Sequence, residues 1–148
     1  MKTKRITWLG VLICCTVCLF SCKKEKPAED VAGSYQGTLV MSVSGAQQGS
    51  FDTTIVLQAD NDEKVSILFP AIGEGRMSVP EFRVKGVQVN EASDNKYTLS
   101  ETAIEFTSNE VTWAGKVSGN VTNNKLHLDY SLQPGAMPMT IDFAFDTK

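Results

Sequence analysis

From Lys23 onward the chain has no cysteine, and His127 is its only histidine. A fold without cysteine carries no disulfide and no thiolate zinc site. A single imidazole leaves any nucleophile–histidine–carboxylate constellation to be built on His127. That residue lies between Leu126 and Leu128, which alternate toward the core, so it faces solvent. No glycine loop of the phosphate-cradling kind is present. Asp60-Asn61-Asp62-Glu63 gathers acids, but the spacing and the glycine of a calcium loop are missing, and a hairpin turn is expected. Asp142 and Asp146 alternate outward on the last apolar run, and nothing sets them facing each other as glycoside hydrolysis requires. These absences point away from an enzyme, a resident metal or a cofactor. The formal net charge is −3, which argues against nucleic acid, a partner that calls for clustered Lys and Arg. Low-complexity tracts and long helical stripes are absent too.

All four cysteines fall within the first 22 residues. Lys2, Lys4 and Arg5 precede an apolar run from Ile6 to Phe20, then Leu19-Phe20-Ser21-Cys22 and a charged stretch beginning Lys23-Lys24-Glu25-Lys26. Spanning a bilayer takes roughly 20 apolar residues, and this run is shorter and interrupted by Thr7, Gly10 and Thr16. A basic start with a short apolar centre is the secretory pattern. With Ser21 at −1 and Leu19 at −3, it reads as a bacterial lipoprotein signal over residues 1–21, with Cys22 as the lipidated N-terminus. Cys14, Cys15 and Cys18 are small apolar members of the run. A diacylglycerol plus an amide-linked chain such as palmitate would hold the protein stably, since a single chain binds only marginally. The expected location is the bacterial outer membrane, on its periplasmic face or the cell surface. Residues 22–31 then form the lipidated N-terminus and linker, and Lys23 to Asp30 is expected to be a solvated spacer. Loss of Lys2, Lys4 and Arg5 makes the mature product more acidic still.

The remainder, residues 32–148, alternates with a period of two. Tyr35, Leu39, Met41 and Val43 share one face, as do Phe51, Thr53, Ile55 and Leu57, and then Val65, Ile67 and Phe69. Phe82 and Val84 are followed by Val87 and Val89, a slip of one at Gly86 that predicts a β-bulge. Tyr97, Leu99, Ile104 and Phe106 make a fifth run; Val111, Trp113, Val117 and Val121 a sixth. Leu126, Leu128, Tyr130 and Leu132 make a seventh; Met139, Ile141, Phe143 and Phe145 an eighth. Strands with one dry and one wet face alternate in this way. Turn residues separate them: Gly45 to Gly49, Asp60-Asn61-Asp62, Asp94-Asn95, Ser108-Asn109, Asn123-Asn124 and Pro134-Gly135. Residues 70–80, with Pro70, Gly73, Gly75 and Pro80, form the one long loop. No connection has room for a crossover helix, so sequence neighbours pair antiparallel. The expected fold is all-β, an eight-stranded antiparallel up-and-down barrel, in preference to a sandwich. Closure removes the edges, and glycines inside strands suit sharp coiling. The polar outward residues suit water rather than a lipid-spanning barrel.

Certain short motifs are familiar: Gly33-Ser34-Tyr35-Gln36-Gly37-Thr38-Leu39, Lys96-Tyr97-Thr98-Leu99, Gly119 to Leu128, and Pro134-Gly135-Ala136-Met137-Pro138-Met139. Over roughly residues 31–147 the chain resembles the calycin-like β-barrel lipoproteins of Bacteroidota, and more distantly the lipocalin and fatty-acid-binding superfamily. The resemblance implies an eight-stranded barrel and little about function. Where lipocalins carry glycine-x-tryptophan, this chain has Gly33-Ser34-Tyr35, and the tyrosine would plug the barrel base.

An eight-stranded barrel is either filled by side chains or holds one small ligand, and alternation does not separate the two. The candidate ligand-contacting residues are Tyr35, Met41, Phe82, Trp113, Tyr130, Met137 and Met139. Met77, Met137 and Met139 lie near loops and suit an apolar guest. One reading is a binding protein that takes a small apolar molecule or a peptide segment at the barrel mouth, with the 70–80 loop and the Pro134–Pro138 turn as its rim. The other is a packed barrel that contacts or inhibits another envelope protein; it expects an exposed apolar patch of several hundred Å². Cys22→Ala separates location from fold: fractionation should find the variant released from membranes with an unchanged circular dichroism spectrum.

Overall fold

The computed structural model describes residues 25–75 and 78–148. Cys22 and Met77 lie outside the described residues. A short helix α1 (Pro27–Val31) precedes β1 (Gly33–Val43), β2 (Ala46–Ala59), β3 (Lys64–Phe69), β4 (Phe82–Ser93), β5 (Lys96–Ser108), β6 (Val111–Thr122), β7 (Lys125–Pro134) and β8 (Ile141–Thr147). Each strand pairs antiparallel with the next, and β1 returns to β8 through Gly37↔Thr147 to Val43↔Ile141, closing the barrel in the expected order.

The hairpins are tight because the residues at their corners accept positive φ. Ser44-Gly45, Asn109-Glu110 and Asn123-Asn124 take that conformation as pairs, and Asn95 and Gly135 singly. The first turn is therefore shorter than the glycines at 45 and 49 suggest: β2 already begins at Ala46. The slip at Gly86 is present, with Val65↔Val87 on one side and Ile67↔Val84 on the other, and Gly86 sits at φ +71°. Its freed N–H donates to Asp60 Oδ2 at 3.2 Å. The same carboxylate accepts the hydroxyl of Ser66, a buried polar side chain, at 2.7 Å. The acidic turn thus secures a bulge. A second slip, between Leu99 and Thr102 opposite Gly119 and Val117, keeps Ile104 on the inner face five positions after Leu99.

The two barrel ends differ. The β2–β3, β4–β5 and β6–β7 turns share one end with α1; the β1–β2, β5–β6 and β7–β8 turns share the other with the 70–80 loop. Residues Pro27–Asp30 were expected in a solvated spacer and are helical instead. Pro27 starts the helix, where its missing N–H does no harm. Ala28 and Val31, three apart on one face, are fully buried in the barrel base. Main-chain and side-chain bonds hold the helix there: Ala28 N–H to the Asp62 carbonyl at 3.1 Å, the Tyr35 hydroxyl to the Val31 carbonyl at 2.7 Å, and the Tyr97 hydroxyl to Asp30 Oδ2 at 3.2 Å. The charges of the segment point outward while two small apolar residues enter the base, so net polarity misleads here.

Gly115 of β6 lies against β7 so closely that a Cβ would run into the Ser131 carbonyl. Gly115→Ala should therefore lower stability by roughly 1–3 kcal/mol, the usual range for overpacking. Urea denaturation would show it; an unchanged midpoint would mean that the two strands are not so tightly apposed.

Candidate functional site

The barrel interior has an aliphatic part and an aromatic part. Toward the α1 end lie Leu57, Val65, Val87, Val121 and Leu126, all buried. Toward the open end six rings form a continuous series. Trp113 stacks on Phe106 at 5.9 Å between centroids, Phe106 on Phe82 at 4.5 Å, and Phe82 on Phe69 at 4.6 Å. Phe69 meets Tyr130 at 4.7 Å, and Tyr130 stacks on Phe143 at 4.5 Å. Phe69 is on β3 and Tyr130 on β7, halfway round an eight-stranded ring. Rings from opposite walls touch, so no open bore passes this level.

The candidate residues fall in three places. Phe82 and Tyr130 belong to the ring series and are buried. Tyr35 is at the other end of the barrel, plugging its base and binding α1. Burial pushes its phenol pKa up. Met41 and Trp113 are at the open end; Met139 is half-buried against the core, and Met137 stands exposed. Two recesses remain at that end beneath the 70–80 loop. One, about 470 Å³, is lined by Met41, Phe51, Gly73 and Glu74. The other, about 270 Å³, includes Val79, Pro80, Val111 and Trp113 in its lining. The loop divides the mouth between them, closed on itself by the Ile72–Val79 pair. Phe51 was legible as an inner-face residue. Gly73 and Glu74 reach the site only through the path of a loop, for which alternation gives no signal.

Tyr130 carries an anomaly. Among the described residues its buried hydroxyl has no hydrogen-bond partner, and burial pushes its pKa far up. An unmet buried hydroxyl costs about 1–3 kcal/mol. The ring earns its place through stacking.

On the outer wall His127 stands between two carboxylates, Nδ1 at 2.6 Å from Asp146 Oδ1 and Nε2 at 3.1 Å from Asp129 Oδ2. The carboxylates sit on opposite ring nitrogens and do not converge on one point, as metal ligands must. The arrangement is an ion pair on a wet surface. The Asp146 hydrogen bond raises the His127 pKa above 6.5, partial burial opposes it, and Asp129 adds to the rise. A folded-state pKa above the unfolded value contributes stability below pH 6.5 that is lost as pH climbs through the folded value.

Three outcomes follow. The His127 ring should titrate above 6.5 by NMR, and Asp146→Asn should bring the midpoint down; a midpoint below 6.5 in the parent would contradict the pairing. Tyr130→Phe should leave stability level or raise it by about 1 kcal/mol, whereas a clear loss in thermal denaturation would reveal a partner for the hydroxyl. Trp113→Ala should cost roughly 3–5 kcal/mol, and less than about 1 kcal/mol would place the ring in solvent.

Comparison with known proteins agrees with this architecture. A solved structure of a Bacteroides fragilis protein, described as a "putative outer membrane protein", superposes with a TM-score of 0.72 at 24% sequence identity. The match covers 84% of this chain and 53% of that one, so the present chain spans about half the length of its structural neighbour. That likeness is one of fold. No functionally curated protein matches the chain. The profile of the Calycin-like beta-barrel domain family matches residues 31–148, from the end of α1 through every strand, and the chain belongs to that family.

Proposed function

We propose that this is a lipid-anchored envelope protein that binds a small apolar molecule or peptide segment at the open mouth of its barrel. A calycin-like barrel is a fold typically used for binding. The observation that carries the reading is the contact of Phe69 with Tyr130 across the barrel, at 4.7 Å. It removes the deep lumen as a ligand site; of the recesses outside it, the one of about 530 Å³ beside α1 is edged by Asp30, Asn124 and Lys148, whereas the two under the 70–80 loop have apolar floors. Met41, Phe51, Val111 and Trp113 give these recesses apolar floors, and Gly73 borders both. Apolar concavities with a few polar groups at the rim are the usual form of small-ligand sites.

The anchor supports the same orientation. Cys22 precedes α1, and α1 closes the opposite end of the barrel. Four residues, Lys23 to Lys26, separate them, so the five steps from the lipidated cysteine to Pro27 reach roughly 16–18 Å at most. Lipidation at Cys22 would hold the closed base toward the bilayer and point the mouth away from it. The outer wall suits that water-exposed stance, with Asp52, Arg83, Glu101, Lys116 and Asp129 outward.

The packed-barrel reading, in which the protein contacts another envelope protein, shares the filled interior. It also expects a broad apolar patch. Among the described residues the exposed large apolar side chains are Val111 and Met137, too few to form one.

The test is spectroscopic. A neutral apolar fluorophore such as N-phenyl-1-naphthylamine should bind saturably and accept energy from Trp113. Val111→Asp, on an exposed side chain, and Met41→Ala, on the buried floor and with its fold checked by circular dichroism, should each weaken it several-fold. Binding that survives both substitutions, or no saturable binding, would overturn the mouth as the site.

A further inference from the structure

β2 runs from Ala46 to Ala59, but β3 pairs only with Val56 to Ala59. The reason is local. β3 ends at Phe69 and Pro70 follows, with no N–H to continue the ladder. The chain then folds on itself, Ile72 and Val79 exchanging N–H···O bonds of 2.9 and 2.8 Å, instead of on β2. Among the described residues no backbone hydrogen bond reaches the β3-facing edge of Ala46–Ile55. On its other edge the same stretch is paired with β1. Gln48 is an extra residue in that pairing, which leaves Gly49–Ile55 as a regular open edge. β4 and β5 also part company, pairing only from Val89 to Ser93, but there Phe82 and Phe106 stack across the seam at 4.5 Å and fill it. Over the inner face of this stretch, among the described residues, lies the recess of about 470 Å³ floored by Met41 and Phe51 and bordered by Gly73 and Glu74.

We propose that Gly49–Ile55 takes an extended peptide segment as an added strand, with one apolar side chain seated over Met41 and Phe51 and a basic residue beside Glu74. This rests on the reading of the mouth as the binding surface and names its ligand class. An open strand edge offers N–H and C=O groups at every second residue, roughly 6.8 Å apart. An extended backbone matches all of them, as in strand-addition complexes, whereas a fatty chain matches none. The recess has room for a large side chain. Among the described residues its one charged lining residue is Glu74, and the whole chain is net −3, so a cationic peptide is favoured over an acidic one. A second copy of this chain fits less well. Antiparallel self-pairing centred on Gly49–Ile55 sets Asp52 opposite Asp52, and like charges directly opposed are destabilising.

The probe is an acetylated, amidated heptapeptide alternating valine and threonine with one central lysine, fluorescently labelled and titrated into the mature chain. Saturable binding is expected, with slowed amide hydrogen exchange across Gly49–Ile55 and no self-association induced by the peptide in light scattering. N-methylation of alternate peptide residues along the pairing edge should weaken binding at least tenfold, and Glu74→Lys, on an exposed side chain, several-fold. Binding indifferent to N-methylation, unchanged exchange in β2, or a dimer that protects β2 would each overturn the proposal. If the apolar fluorophore binds at the mouth and the peptide does not, strand addition fails and mouth binding stands; if neither binds, both fail.

Discussion

A ring of eight strands leaves an interior only wide enough for side chains to meet in the middle or for one small guest. In this protein the middle is taken. Phe69 and Tyr130 approach from opposite walls to 4.7 Å, and neighbouring rings extend the contact from Phe143 to Trp113. Stacked and tilted ring pairs contribute beyond the area they bury, which is enough to retain Tyr130 despite its unpartnered hydroxyl. Once that layer is in place, whatever the barrel binds must be handled above it or outside it.

The layer also makes the two ends unequal. Below it the bore narrows to aliphatic side chains, and α1 closes the base with Ala28 and Val31. Above it the wall is incomplete, because Pro70 ends the β2–β3 ladder and the 70–80 segment pairs with itself. One end is closed by a helix next to the N-terminal segment, with a polar-edged recess beside it; the other holds apolar-floored recesses, an open strand edge and a loop. A barrel with this polarity presents its adaptable surface on the side away from where its N-terminal segment attaches. The outer wall between them is polar, and its His127 contacts are ion pairs with neighbours on β7 and β8.

Much of this was legible in the residues. Alternation placed Leu39, Ile67, Val117 and Phe145 inward, and all are buried. Asn and Gly marked corners that adopt positive φ. The frame slip at Gly86 was visible because apolar residues on each side of it kept strict alternation. The slip after Leu99 was less so, since the residues inside it are polar and the run reads as continuous. The helix was hidden for a related reason: in Pro27–Val31 two charged side chains, Glu29 and Asp30, stand beside the two that are buried, after a run of charged residues. Its order comes from a cavity at the barrel base, which no local count of polarity contains.

The sequence by itself determined strand number, order, facing and the corners between strands, because these follow from side-chain period and backbone preference, both local properties. It also supplied the polar outer wall and the proline that breaks one ladder. Only the tertiary structure decided that the interior is crossed rather than hollow, that Tyr35 serves the base while Met41 and Phe51 serve the mouth, and that part of β2 is left without a partner. Those outcomes depend on which residues from distant strands arrive at the same height across a closed ring. Barrel closure and strand stagger set that height, and neither can be read from a single strand.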